Sequence, residues 1–161
     1  MAGRTLGREL VDALKEGVVG EVSVEQGALR ARATVRGSGR YGAELDGLTV
    51  ERAEAPGDTD RTDEVTHGIA ERVDYLPEPL ELLELGPERG QLRTRRDRVQ
   101  GGEYFEVDVA GGRRVDVGRV RFAHETKQRH RQSYSTGHGV LRRLVDDLAE
   151  LIDGGADPAQ H

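Results

Sequence analysis

The residues best suited to bind an anion lie between residues 119 and 143, which read RVRFAHETKQRHRQSYSTGHGVLRR. The apolar spacing predicts a strand ending near residue 122, a polar linker, and then a helix beginning near residue 136. A hydroxyl side chain would cap that helix, and a Gly-His-Gly run would expose backbone N–H groups at its start. Nearby cations would add charge-assisted hydrogen bonds to a phosphate or carboxylate. The predicted anion-binding residues are Lys127, Arg129, His130, Arg131, Ser135, Thr136, Gly137, His138, Arg142 and Arg143.

The histidines of the same segment allow a different chemistry. His124, Glu125, His130 and His138 could together ligate zinc or iron. The spacing H-E-x₄-H, however, lacks the one-turn separation that places two histidines on one helix face. Ser135 lies three residues before His138, yet neither an orienting carboxylate nor a G-x-S-x-G elbow can be identified. We therefore predict no catalytic residue, metal ligand or cofactor, and keep a small hydrolase or metal-dependent enzyme around residues 124–138 as a second alternative.

Charge is segregated along the chain, which has a formal net charge of −6. Residues 41–88 carry a local net charge of −11, and residues 113–143 carry +7. Opposite patches suit electrostatically steered association with a protein partner or with a second copy of the chain. Global acidity disfavours a general nucleic-acid coat. The main hypothesis is a small non-enzymatic binding or adaptor protein with a charge-polarised surface. An anion or nucleic-acid binder using residues 119–143 is the first alternative.

Length and composition narrow the class further. A chain of 161 residues is most simply one domain. The absence of cysteine excludes disulfide scaffolds, thiolate metal sites and cysteine nucleophiles. No apolar run is long enough for a signal peptide or a membrane span, so a cytoplasmic protein is expected.

The periodicity of apolar residues predicts an α+β domain over residues 1–154, followed by a flexible tail, 155–161. Helices are expected at 5–16, 63–75 and 136–153, each with an apolar stripe. Four strands are expected after each of the first two helices, which gives the order α-ββββ-α-ββββ-α. Antiparallel meanders with the helices on one face are the simplest arrangement. An internal duplication, relating residues 4–54 to residues 62–124, is one interpretation of this repeated order of elements.

Three local features refine this outline. Thr5 is expected to cap the first helix. Asp46-Gly47 is typical of a two-residue hairpin turn. The inward alternation at Val115 and Val117 resumes out of phase at Val120, which predicts a β-bulge near Gly118.

Overall fold

A computed structural model describes residues 4–53, 60–94, 102–123 and 125–154. Within those ranges the elements follow the order α-βββ-α-ββββββ-α. The helices are α1 (Leu6–Leu14), α2 (Thr62–Arg72) and α3 (His138–Asp153). The strands are β1 (Gly20–Gln26), β2 (Leu29–Ser38), β3 (Gly42–Arg52), β4 (Leu80–Gly86), β5 (Arg89–Thr94), β6 (Glu103–Ala110), β7 (Arg114–Ala123), β8 (Gln128–Gln132) and β9 (Tyr134–Gly137).

The strands of the described ranges form one antiparallel sheet, in the spatial order β1-β2-β3-β7-β6-β5-β4. β3 and β7 pair only over Leu48–Glu51 and then separate. β8 pairs with β7, and β9 pairs with β3. The continuous segment 128–137 therefore fills the fork between β3 and β7, and it delivers the chain to the start of α3.

One face of the sheet is apolar and carries the helices. Its rows run across the strands through neighbours such as Ala33, Leu48 and Val117, all of them buried. Residues of all three helices join these rows in one buried cluster. Because side chains alternate along a strand, the intervening residues point to the opposite side. We call that side the open face, and it is marked by the cross-strand row Arg32, Thr49, Asp116, Asp108 and Gln91.

The α+β class with an antiparallel sheet is confirmed, whereas the predicted order of strands is wrong. Three strands, not four, precede α2 within the described residues. The predicted hairpin at Asp46-Gly47 lies inside β3, where Thr34 faces Gly47 and Val35 faces Leu45. Asp46 is thus the extra residue of a bulge, and the uninterrupted strand keeps ladder partners on both of its edges. The internal duplication stays a prediction.

The bulge predicted near Gly118 is also wrong. The β6–β7 register is regular from Glu103 opposite Arg121 to the end of the ladder. Alternation therefore continues through Gly118, and Val120 lies on the open face opposite Tyr104, where both are buried. The missing side chain at Gly118 leaves the space that the Arg131 guanidinium occupies.

The two predicted helix caps have different outcomes. The Thr5 hydroxyl accepts a hydrogen bond from the Arg8 N–H at 3.1 Å, so the cap of α1 is confirmed. The predicted cap of α3 by Ser135 or Thr136 is wrong, because both residues pair with β3 as part of β9. The helix instead begins after Gly137, with no side-chain cap.

No helix within the described ranges is both long enough and apolar enough to cross a membrane. The predicted tail, 155–161, lies outside the described residues.

Candidate functional site

The predicted anion-binding residues occupy three different parts of the fold. Lys127, Arg129, His130 and Arg131 lie on β8 or on the turn before it; Ser135, Thr136 and Gly137 lie on β9; His138, Arg142 and Arg143 lie on α3. Arg129 and Arg131 stand opposite Phe122 and Val120 of β7, which puts them on the open face. Because α3 packs on the other face of the sheet, the predicted set does not meet at one concavity.

The strongest contact of Arg129 is internal. Its guanidinium pairs with the carboxylate of Glu106, a residue that is only 6% exposed. Gln91 Nε2 donates a second hydrogen bond to that carboxylate at 2.7 Å. The hydrogen bond with Glu106 is the main cause that raises the pKa of Arg129. Arg129 therefore neutralises a buried charge of its own sheet.

A strained electrostatic contact lies next to this pair. Asp108 of β6 stands directly opposite Asp116 of β7. Partial burial raises the pKa of Asp108, and the charges of Glu106 and Asp116 raise it further. The hydrogen bond from Gln91, at 2.8 Å, acts in the opposite direction. Ionised Asp108 therefore costs stability in the folded protein.

Replacing Asp108 by Asn is expected to stabilise the protein at pH 7 by about 0.5–1 kcal/mol, since it removes the desolvation of a carboxylate and its repulsion by Glu106 and Asp116. The Asn side chain still accepts the hydrogen bond from Gln91. Folding raises the pKa of Asp108. The protonated carboxyl group therefore makes its full contribution to the free energy of unfolding below about pH 4, and that contribution is lost as the pH rises through the pKa of the folded state. Urea unfolding followed by circular dichroism at pH 7 and at pH 3.5 measures the gain, which should disappear in acid.

The matched control is Asp46→Asn, because Asp46 pairs with Arg36 at 2.9 Å and faces no carboxylate across the strand. That variant should not gain stability at pH 7. An Asp108→Asn protein that is destabilised at pH 7, or equally stabilised at both pH values, would contradict the account given for Asp108.

The histidine of α3 is held by the backbone. His138 is 8% exposed, and its Nε2 lies 2.6 Å from the carbonyl oxygen of Gly39. Its backbone N–H donates to the carbonyl of Tyr41 at 3.0 Å. The ring therefore fastens the start of α3 to the β2–β3 connection, and it makes no hydrogen bond to the Ser135 hydroxyl.

The metal-binding alternative finds no support in the part of the chain that is described. No group of three histidine, aspartate or glutamate side chains there could hold a metal ion. His124 lies outside the described residues. His130 stands on β8 opposite Arg121, a different element from the one that carries His138.

The division of charge along the chain is partly cancelled by folding. Four arginines of residues 113–143 lie within ion-pair distance of acidic residues: Arg114 and Asp116 at 3.0 Å, Arg119 and Glu103 at 3.5 Å, Arg129 and Glu106, and Arg143 and Asp74 at 3.9 Å. Of these four partners, Asp74 belongs to the acidic segment 41–88. Part of the positive charge of residues 113–143 is therefore neutralised within the fold, and two local patches of the surface are candidate sites.

One such patch lies along β4, the last strand of the sheet path. β5 covers one of its edges, and no strand of the described ranges pairs with the other. Three leucines are substantially exposed: Leu82 by 43%, Leu83 by 48% and Leu85 by 38%. Leu82 faces Leu92 and Leu85 faces Gly90, so Leu83 is the extra residue of a bulge between them. A strand was predicted here, but its position at the edge depends on pairings that only the tertiary structure shows.

A second patch is a cleft between α1 and α3 of about 950 Å³. Its lining includes Arg4 and Arg8 from the start of α1 and Arg142 and Arg143 from α3. Only the second pair belongs to the predicted anion-binding set. Sequence reasoning does not find Arg4 and Arg8, because nothing in the sequence shows that α1 packs against α3, which begins at His138.

No family model, curated protein or solved structure matches this chain.

Proposed function

We propose that this protein is a non-enzymatic binding protein that captures an extended segment of a protein partner by adding it to the outer edge of β4. The supporting observation is the combination of exposed leucines with a strand edge that no described strand covers. An edge strand presents backbone donors and acceptors that a further strand can satisfy. Main-chain hydrogen bonds then supply affinity, while alternate side chains supply specificity.

The exposed apolar area adds a driving force to this pairing. Leu82, Leu83 and Leu85 are the large apolar residues that β4 leaves in contact with water. Burying such area is favourable at about 25 cal/mol per Å². The opposite edge, β1, differs, because its outward residues are Glu21, Ser23 and Glu25. The two edges are therefore not equivalent, and β4 is the better docking edge.

Charge indicates what kind of segment would pair there. β4 reads LELLELG; Glu81 stands opposite Arg93 of β5, whereas Glu84 stands opposite the uncharged Gln91. Pairing two copies of β4 would bring four carboxylates together, which is unfavourable when like charges face each other across strands. A segment that alternates apolar residues with arginine or lysine would instead be complementary. We therefore propose a basic, apolar, extended partner segment rather than self-association through this edge.

The bulge at Leu83 is consistent with selective pairing. Bulges and charged residues on an edge are devices that prevent indiscriminate edge-to-edge aggregation. On β4 they would restrict the edge to a partner whose charges and register match.

The cytoplasmic location expected from the sequence stays a prediction.

A labelled synthetic peptide alternating valine with lysine or arginine tests the proposal. We expect binding by fluorescence anisotropy, with amide chemical-shift changes concentrated in β4. The double variant Leu83→Lys/Leu85→Lys should weaken the affinity about tenfold or more, because it removes apolar contacts and repels the peptide.

The matched control is Val19→Lys/Tyr41→Lys, which adds the same charge at two side chains that are 78% and 80% exposed outside β4. Circular dichroism would verify that both variants are folded. An absence of peptide binding, an equal loss in the two double variants, or shift changes concentrated in β1 would each overturn the proposal.

A further inference from the structure

The cleft between α1 and α3 is rich in arginine. Arg4, Arg8, Arg142 and Arg143 line it, together with two carboxylates, Asp146 and Asp147. Guanidinium groups bind phosphate oxygens through paired, geometrically matched hydrogen bonds. The lining therefore has the chemistry of an anion site, provided that its arginines are not already neutralised by their neighbours.

The two carboxylates of the lining are engaged in contacts within the fold. Asp146 Oδ1 accepts a hydrogen bond from the N–H of Gly7 at 2.8 Å, which fastens α3 to α1. Asp147 accepts hydrogen bonds from Arg72 at 2.8 Å and from the Tyr75 hydroxyl at 2.7 Å. Both carboxylates therefore accept hydrogen bonds from donors other than the four arginines of the cleft.

The cations on α1 and next to its two ends outnumber the acidic residue with which they pair. Arg4, Arg8 and Lys15 all form ion pairs with the single carboxylate of Asp12. One carboxylate cannot neutralise three cations, so positive charge remains at the α1 side of the cleft.

The arginines of α3 are also available to a ligand. Arg142 has no carboxylate within ion-pair distance among the described residues. Arg143 lies 3.9 Å from each of its two partners, Asp74 and Asp147, and its guanidinium stacks over the Tyr75 ring at 4.1 Å from the centroid. Stacking fixes the plane of that group, and the two contacts at 3.9 Å are too long for hydrogen bonds, so its N–H groups can still donate to a ligand.

Gly139 keeps the cleft open at the start of α3. A Cβ atom added there would meet no atom within 4 Å, so the glycine borders empty space. A phosphate in that position would lie beside the first turn of a helix that has no side-chain cap. This feature supports the site, while the four arginines are its main component.

We propose that the α1–α3 cleft binds a small molecule carrying a pyrophosphate group, held between Arg4 and Arg8 on one side and Arg142 and Arg143 on the other. The volume of about 950 Å³ is sufficient for a ligand of nucleotide size. Even when Asp12, which pairs with Arg4 and Arg8, is counted with the two aspartates of the lining, the four arginines leave an excess of positive charge that suits a phosphate-bearing anion. This site is independent of the β4 edge and lies on other elements.

Calorimetric titration with inorganic pyrophosphate and with ADP tests the site in the full chain at low and high salt. Binding of both with similar affinity would show that the phosphates are the part recognised. Tighter binding of ADP would show that the nucleoside contributes. Either result supports the site if Arg142→Gln and Arg8→Gln each weaken binding about tenfold, the loss expected for one charge-assisted hydrogen bond.

Arg36→Gln is the matched control, because it removes the same charge from β2, where Arg36 pairs with Asp46. Its affinity should change less than twofold. No pyrophosphate binding at low salt, or an equal loss in Arg36→Gln, would overturn the proposal. So would pyrophosphate binding that survives both cleft variants, since that places the binding site elsewhere.

Discussion

Replacing Gly7 by Ala is expected to lower the free energy of unfolding by about 2 kcal/mol, within the range for overpacked contacts. Gly7 lies where α1 crosses α3, and a Cβ atom there would overlap the backbone carbonyl of Arg142 and the side chain of Asp146. A backbone atom cannot rotate away as a side chain does, so the two helices would have to separate. The shift would also stretch the hydrogen bond from the Gly7 N–H to Asp146. Urea unfolding followed by circular dichroism measures the loss.

Gly139→Ala is the matched control, because Gly139 occupies the same position in the first turn of α3. No atom lies within 4 Å of a Cβ added there. Alanine should therefore stabilise α3, by up to about 1 kcal/mol, since glycine is the poorer helix former. Opposite signs of the two changes in the free energy of unfolding would distinguish an effect of close packing from an effect of helix propensity. Equal effects of the two substitutions would contradict the close crossing of α1 and α3.

The helices were the most predictable part of this fold. The apolar stripes of α1 and α3 identify both helices, and Thr5 identifies the start of α1 through its capping hydrogen bond. These signals are local, because they depend on residues within one or two turns. The start of α3 was misplaced by two residues because β9 pairs with β3, and that pairing keeps Ser135 and Thr136 extended.

The strands were less predictable where the sequence supports two conformations. Asp46-Gly47 suits both a hairpin turn and a bulge, and long-range pairing on both edges of β3 decides for the bulge. The sequence predicts a bulge before Val120 because the prediction places all the apolar residues of β7 on one face of the sheet. Val120 and Tyr104 are instead buried opposite each other on the open face, outside the cluster that the helices cover.

The candidate sites depended still more on tertiary structure. Residues 119–143 are rich in cations, but sequence proximity does not place Arg129 and Arg142 on the same side of the sheet. The cleft joins the first helix to the last, and the docking edge exists because β4 ends the strand order. Both facts follow from topology and have no local signature.

Replacing Arg129 by Met is expected to destabilise the protein by about 2 kcal/mol, because it leaves the buried carboxylate of Glu106 without its charged partner. Gln91 still donates one hydrogen bond to that carboxylate, which keeps the loss below that of a fully isolated charge. Methionine retains the aliphatic part of the side chain, so the change mainly removes the guanidinium. Thermal and urea unfolding of the purified variant measure the effect.

Adding Glu106→Gln to the Arg129 variant should recover most of the lost stability, because the second change removes the uncompensated charge. Lys127→Met provides the control, since it removes one cation from the exposed turn just before β8. That control should change stability by less than about 0.5 kcal/mol. If Arg129→Met instead leaves stability unchanged and weakens pyrophosphate binding, Arg129 belongs to the anion site that the sequence predicted. The expected pattern, lost stability with unchanged pyrophosphate affinity, assigns Arg129 to the sheet and leaves anion binding to the arginines of α1 and α3.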